Sequence, residues 1–285
     1  MLTFFQAVIF GAVQGTTELF PISSLGHSVI LPKLLGWQVH QEDPYFLTFL
    51  VATHTATATV LFVYFLKDWK LIIAGIIRSI KQREVRENDT YAKLGWLLVI
   101  ATIPAGILGL LFEEPLKKLF ASPTLVAGIL FLNGLLLFGA ELLRRNKREN
   151  KEEGSDQRIA KLKWFEAVKV GLLQSLALIP GFSRTGSAIT GGLMVNLSHE
   201  DAARFSFLLA TPIIGAAALL KLPELITTQE KLLLGPIVTG SIFAGIFAYL
   251  SIKFLTKYFQ TQTLKPFALY CMAAGIIFLL LILTR

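Results

Sequence analysis

Two short stretches place reactive side chains inside apolar sequence. QGTTELFPISSLGH, residues 14–27, holds Gln14, Glu18, Ser23, Ser24 and His27, and PGFSRTGSAIT, residues 180–190, holds Ser183, Arg184 and Thr185. In each, a proline breaks the chain and a serine three residues later stands where a new helix can start. Ser23 or Ser24 would cap a helix running through LGHSVILPKLLG, and Ser183 one running through RTGSAITGGLMV. Two helix N-termini brought together offer free N–H donors and about half a positive charge each, which suits an anion and phosphate above all. Arg184 follows the second break at once, and its planar fork suits bidentate phosphate contact. The other reading of Arg184 is a salt bridge to Glu18 alone.

Glu18 lies four residues after Gln14, so the two share a helix face. An ionisable residue in an apolar stretch is too costly to be filler. Glu18 could be a metal ligand, a proton donor or acceptor, or the counter-ion of Arg184. A Gln–Glu pair alone is a weak site for a divalent cation such as Mg²⁺ or Ca²⁺, because hard cations want several oxygens; substrate phosphate oxygens could complete the set. His27 falls three residues after Ser24 and four after Ser23. There it could activate a hydroxyl or protonate a leaving group, or it could simply be hydrogen-bonded. His54 in ATHTATATV has two readings as well, a functional one and a hydrogen bond across helices through the Thr-rich face. Arg204 in DAARFSFLLAT either snorkels to the interface or contacts phosphate. His40 and His199 sit in polar stretches and read as solvated, while Glu113, Glu114 and Glu141 near the ends of apolar blocks read as interfacial. The single cysteine, Cys271, excludes an intramolecular disulfide and any multi-Cys metal site, and reads as a small buried hydrophobe.

What must position these residues is an all-α, polytopic membrane fold. Of 285 residues, 54% are hydrophobic and 16% charged, against about a quarter charged in soluble domains. Apolar blocks long enough to cross a bilayer lie at 45–66, 94–112, 124–143, 201–222, 234–256 and 267–284. No Lys or Arg precedes the first apolar run, and Gln14 and Glu18 interrupt it, so it does not read as a cleaved signal. The net charge of +8 does not imply a nucleic-acid partner, because the basic residues gather in loops 67–93 and 144–163. Basic loops beside membrane helices report the cytoplasmic side.

The chain repeats itself. GAVQ (11–14) returns as GLLQ (171–174), FLVAT (49–53) as FLLAT (207–211), AGILGLL (105–111) as AGIFAYL (244–250), and AGILFLNGLLL (127–137) as AGIIFLLLILT (274–284). The order is the same in both halves, which indicates duplication within one membrane domain, 1–285. The halves cover about 1–143 and 164–285, joined by the basic loop 144–163. Each begins with a broken region, 2–36 or 164–196, whose pieces are too short to span, and continues with three spanning blocks. Three crossings are an odd number, so the second half is inverted. Six spanning helices and two re-entrant hairpins entering from opposite faces then bring the breaks together near the midplane.

QGTTELFPISSLGH and PGFSRTGSAIT resemble the two signature regions of the undecaprenyl-diphosphate phosphatase family of the bacitracin-resistance type, and ARFSFLLATP (203–212) with the block pattern extends the resemblance over the whole chain. The resemblance implies a multi-pass enzyme of the bacterial inner membrane that hydrolyses undecaprenyl diphosphate to the monophosphate and phosphate, recycling the lipid carrier of cell-wall synthesis. It also implies an active site open to the periplasm and a supporting divalent cation. The family's acidic motif carries over to Gln14 and Glu18, its serines to Ser23 and Ser24, its histidine to His27, and its phosphate motif to Ser183 and Arg184. Departures are Gln14 in place of a second carboxylate, Leu25 where Thr is often found, Thr185 for Ser, and Ala188 for Thr.

The expected chemistry is in-line attack on the terminal phosphoryl group, with the polyprenyl monophosphate leaving. Ser24 is the expected nucleophile with His27 as its base; attack by water polarised by Glu18 or His27 is the alternative. Arg184, Ser183, Ser23, Thr185 and Arg204 are the expected phosphate contacts, and Glu18 and Gln14 the expected cation ligands. The partners are then a polyprenyl diphosphate and the bilayer, with a homodimer compatible with this arrangement. The rival class is an inverted-repeat transporter or flippase of anionic or lipid-phosphate substrates, which needs Arg184 and the helix ends but no nucleophile.

Overall fold

Helix starts and stops in this chain follow local chemistry. In the computed structural model, which describes residues 2–39, 43–112, 122–144, 153–227 and 234–284 (backbone alone for 218–227), α1 is Phe4–Thr17 and α2 is Ser24–Leu35. Thr3 begins α1 with a reciprocal capping box to Gln6. Next come α3 (Pro44–Tyr64), α4 (Leu66–Gln82), α5 (Thr90–Leu111), α6 (Pro123–Leu143) and a short α7 (Ser155–Ala160). Asp43 and Ser122 cap α3 and α6, each with Pro at the first helical position, where its missing N–H costs nothing. The second half holds α8 (Trp164–Gln174) with a 3-10 turn (Ser175–Leu178), α9 (Arg184–Met194), α10 (His199–Thr227), α11 (Leu234–Tyr258) and α12 (Lys265–Leu283). His40, Glu113 and Glu114 lie outside the described residues.

Among the described residues, five helices, α3, α5, α6, α11 and α12, are long and apolar enough to cross a membrane. At 14, 12, 11 and 11 residues, α1, α2, α8 and α9 are not, since about 30 Å of hydrocarbon needs about 20 residues. The outer faces of the long helices expose Ile103, Ile107, Leu132, Ile242, Ile246, Leu269 and Leu280, the side chains that hydrocarbon, and not water, would solvate. Polar groups turn inward: Thr53, Thr57 and Asn133 are fully buried within spanning helices. The principal core runs through both halves, from Leu19 to Ala274.

The short helices pack on long ones by close backbone approach. A Cβ on Gly11 of α1 would press the Gly240 carbonyl of α11, and one on Gly171 of α8 would press the Ala101 carbonyl of α5. Gly134 of α6 and Gly275 of α12 meet each other's helices in the same manner. In an apolar medium, association rests on such close packing. The region 67–93, read from its charges as a loop, contains α4. Its Ile72, Gly75 and Ser79 turn inward, while Asp89, the cap of α5, holds Arg78 through both carboxylate oxygens. His199, expected in solvent, is buried against Glu141, 2.6 Å away, because Glu141 also caps the Leu264 N–H.

Replacing Gly11 or Gly171 by Leu forces carbonyl and side chain apart and lowers the unfolding temperature in detergent by several degrees, as overpacking of about 1–3 kcal/mol requires. Gly106→Leu, where a Cβ meets nothing within 4 Å, is the control and leaves it unchanged. Equal effects in all three variants, by thermal unfolding, contradict the packing argument.

Candidate active site

Both breaks form as their prolines require, and one side chain holds them together. Ser23 caps α2 by accepting the Gly26 N–H at 3.1 Å, and Ser183 caps α9 by accepting the Gly186 N–H at 3.1 Å. Ser23 has a left-handed backbone, φ 67°, uncommon for a residue with a side chain. Gly181 has φ 108°, and a Cβ there would strike Ile129 and the Val126 carbonyl of α6 at 2.8 Å, so that position requires glycine on two counts. Asn133 of α6 donates Nδ2–H to the Pro21 carbonyl at 3.2 Å and accepts the Ser183 N–H on Oδ1 at 3.0 Å. The breaks also bond directly. Thr185 donates its hydroxyl to the Glu18 carbonyl at 2.9 Å. Backbone that would be costly to bury unpaired is thereby satisfied.

Between the two caps lies the Glu18 carboxylate, 6% exposed. Arg184 donates to Oε1 at 2.8 Å. On Oε2 converge the Ser24 hydroxyl at 2.5 Å, the Gln14 amide at 3.1 Å and His54 Nε2 at 3.2 Å. His54 Nδ1 donates to the Leu50 carbonyl at 2.8 Å, which points Nε2 at the acid. One buried carboxylate thus faces a guanidinium, an imidazole and a hydroxyl. Two atoms of this cluster are buried with no protein partner: the second guanidinium nitrogen of Arg184, a donor, and Gln14 Oε1, an acceptor. An orphan donor of that kind is where an anion's oxygen fits, and an orphan carbonyl is a hard-cation ligand. Among the described residues, no group of three or more His, Cys, Asp or Glu side chains could hold a metal ion, so most ligands of a cation at Gln14 and Glu18 would have to come from substrate and water.

Gln14, Glu18, Ser24, Arg184, Thr185 and both capping serines come together as the motifs suggested. His27 does not reach Ser24. Its Nδ1 donates to the Ser23 carbonyl at 2.6 Å and its Nε2 meets the Tyr270 hydroxyl at 2.7 Å. Helical side chains lean toward the N-terminus, and the left-handed Ser23 offers its carbonyl one turn back, so the ring is captured there while Glu18 takes Ser24. Arg204 stays outside the cluster. It pairs with Asp156 at 2.6 Å and Asp68 at 2.8 Å and lies over the Phe65 ring. The two acids, one on α7 and one on α4, hold its guanidinium without any phosphate. Asn133 is the member that sequence reading missed, and His54, which the sequence left between two readings, bonds the acid of the cluster. The signal available for His54 was an ionisable side chain inside a spanning helix; for Asn133 it was one amide in an otherwise apolar repeat.

The chain is similar to known proteins over nearly its whole length. The family model "Bacitracin resistance protein BacA" matches residues 7–277. A protein of Mycolicibacterium paratuberculosis named undecaprenyl-diphosphatase is 45% identical over 96% of this chain and 95% of its own length. One of Acidiphilium cryptum with the same name is 43% identical over 97% of each. One of Oenococcus oeni, named undecaprenyl-diphosphatase 2, is 43% identical over 96% and 97%.

Removing either partner of a buried ion pair strands the other, at about 3–5 kcal/mol. Glu18→Ala and Arg184→Ala each therefore lower stability substantially, while the double variant loses less than the two single losses added together. Unfolding in detergent measures this cycle, and strict additivity would mean that the two charges do not support each other.

Proposed function

The chain belongs to the bacitracin-resistance BacA family, and from that premise we propose that it hydrolyses undecaprenyl diphosphate to undecaprenyl phosphate and inorganic phosphate. The observation that carries the reading is the Glu18–Ser24–Arg184 cluster, a hydroxyl short-bonded to a carboxylate beside an arginine with a free donor, set between two helix N-termini. A transporter of anions would need the arginine and the helix ends. It would not need Ser24 held on a carboxylate.

In this reading the terminal phosphoryl group of the diphosphate takes the donors of Arg184 and the N–H groups at the starts of α2 and α9. Ser24 Oγ attacks phosphorus in line, the P–O bond to the polyprenyl monophosphate breaks, and the serine proton passes to Glu18 Oε2 along the bond already in place. Glu18, not His27, is therefore the base for Ser24. Water then attacks the phosphoserine, phosphate leaves, and Ser24 regains its proton from Glu18. Arg184 and His54 keep Glu18 oriented through both steps. A divalent cation would be held by Gln14 Oε1 and Glu18, where it would supply charge neutralisation to the diphosphate. Arg204, tied to two aspartates, has no part in phosphate binding here.

The wider architecture belongs to the same proposal. Six spans, α10 being the sixth, with α1–α2 and α8–α9 as re-entrant hairpins, form an inverted repeat. The contacts of Gly11 with Gly240 and of Gly171 with Ala101 support it, since Gly11 and Gly171 hold matching positions of one repeated segment, and Ala101 and Gly240 each lie four residues before another. In this reading α4 and α7 lie on the cytoplasmic side of the bacterial inner membrane, which the basic charges around them support, and the substrate site opens to the periplasm.

Detergent-purified protein should release phosphate from undecaprenyl diphosphate, and Ser24→Ala and Arg184→Ala should each lower kcat about 100-fold or more while remaining folded. Chelation should suppress release, and Mg²⁺ or Ca²⁺ should restore it. Acid quench during turnover of labelled substrate should trap phosphate on Ser24. Turnover without such label would move the attack to water, and no release from folded protein under any cation would end the phosphatase reading.

A further inference from the structure

Helix α4 contributes no group to the Glu18 cluster, and its two sides differ. One stripe, spaced four and three residues apart, is Asp68, Ile72, Gly75 and Ser79. Its last three members are buried, and Asp68 is held by Arg204 at 2.8 Å. On the other side Leu66, Ile73, Ile77 and Ile80 are exposed, Ile80 by 59%. Lys70 follows Leu66 by four residues and Lys81 follows Ile77 by four, so both lie along the edge of this apolar stripe. Lys67 stands one turn before Lys70. All three lysines are exposed and, among the described residues, have no acidic partner.

The depth of α4 follows from its neighbours. Helix α3 has 21 residues, about one span, and Phe65 alone separates it from Leu66. Helix α4 then crosses the start of α5 without running down it. Gly75 faces Tyr91 and Ala92, and Ile72 and Ile76 cover Gly95. Asp89 holds Arg78, and Trp96 donates its Nε1–H to the Ser79 hydroxyl at 2.9 Å. These contacts, spread from Ile72 to Ser79, all fall within the cap and first two turns of α5. At the same level Lys93 lies over the ring of Trp164, an exposed tryptophan at the first residue of α8, 5.8 Å from its centroid. Tryptophan so placed marks the headgroup zone of a bilayer.

We propose that α4 is a docking helix for anionic lipid, on the side read above as cytoplasmic. Leu66, Ile73, Ile77 and Ile80 enter the boundary of headgroups and acyl chains, and Lys67, Lys70 and Lys81 hold the phosphates of anionic headgroups. Charge selects this occupant. A row of lysines without acids fits a negatively charged leaflet, whereas a second copy in a twofold contact would bring the same lysines face to face. Docking of α4 depends on the membrane fold and not on the phosphatase reaction.

The test places the full chain in vesicles of equal parts phosphatidylglycerol and phosphatidylcholine, extracts it in mild detergent and counts the retained lipids by mass spectrometry. Wild type should retain phosphatidylglycerol over phosphatidylcholine by about threefold or more. The triple variant Lys67→Gln, Lys70→Gln, Lys81→Gln should bring that ratio close to one. The charge-matched control Lys253→Gln, Lys257→Gln, Lys265→Gln should keep it. All six lysines are exposed, so neither variant disturbs the core. No preference in wild type, an unchanged ratio in the α4 variant, or an equal loss in the control would each overturn the proposal. A spin label on Ile77→Cys measures depth independently, since the native Cys271 is buried. The label should lie at the boundary of headgroups and acyl chains. A label in water or at the bilayer centre, or one broadened by the label of a second copy, would overturn the proposal too.

Discussion

A carboxylate placed among hydrocarbon must be neutralised within the protein, and the ion pair of Glu18 with Arg184 does this across 166 residues of chain. Much of the arrangement serves that contact. Two helices must stop short in apolar surroundings so that acid and base can meet. Their freed backbone groups must find partners, and Asn133, Thr185 and the capping serines are those partners. Because the groups are buried, each bond counts for more than it would in water, and an unpaired one is costly. The cluster is therefore held in one geometry, which is also what a phosphoryl-transfer site requires.

The repeated segments of the sequence match in their helix-breaking residues but not in their charged ones. Gln14 and Gln174 fall at matching places of the repeats, and so do Ser24 and Ser183. Glu18 has no acidic counterpart, since Leu178 stands four residues after Gln174, and Arg184 has no basic one, since Leu25 follows Ser24. The first break keeps the acid and the Ser24 hydroxyl, the second keeps the guanidinium, and the cluster takes groups from both.

Two histidines exchange the roles their sequence positions suggest. His27 sits one turn from Ser24 yet bonds Ser23 and Tyr270, while His54, far away in the chain, bonds the carboxylate that holds the Ser24 hydroxyl. The local cause is the left-handed Ser23, whose carbonyl competes for the nearer ring. At the far side of the fold, Arg204 and Arg158 show the ordinary use of arginine: each is matched by aspartates that tie the short α7 to the start of α10.

The apolar blocks, the prolines after Gln14 and Gln174, and the serines that follow them were sufficient to read an all-helical membrane chain with two broken regions, because span length and helix termination depend on local chemistry. The identity of Glu18, Ser24 and Arg184 as one cluster was legible for a related reason: buried charge is too expensive to leave without a partner. Helix α4 escaped the sequence reading because its charges mask an apolar stripe. What only the tertiary structure decided is which group meets which. The Ser24 hydroxyl goes to Glu18 and not to His27, Arg204 to Asp68 and Asp156, and Tyr270 to His27. Such pairings follow from helix packing and from where carbonyl groups point, and spacing along the chain carries no information about either.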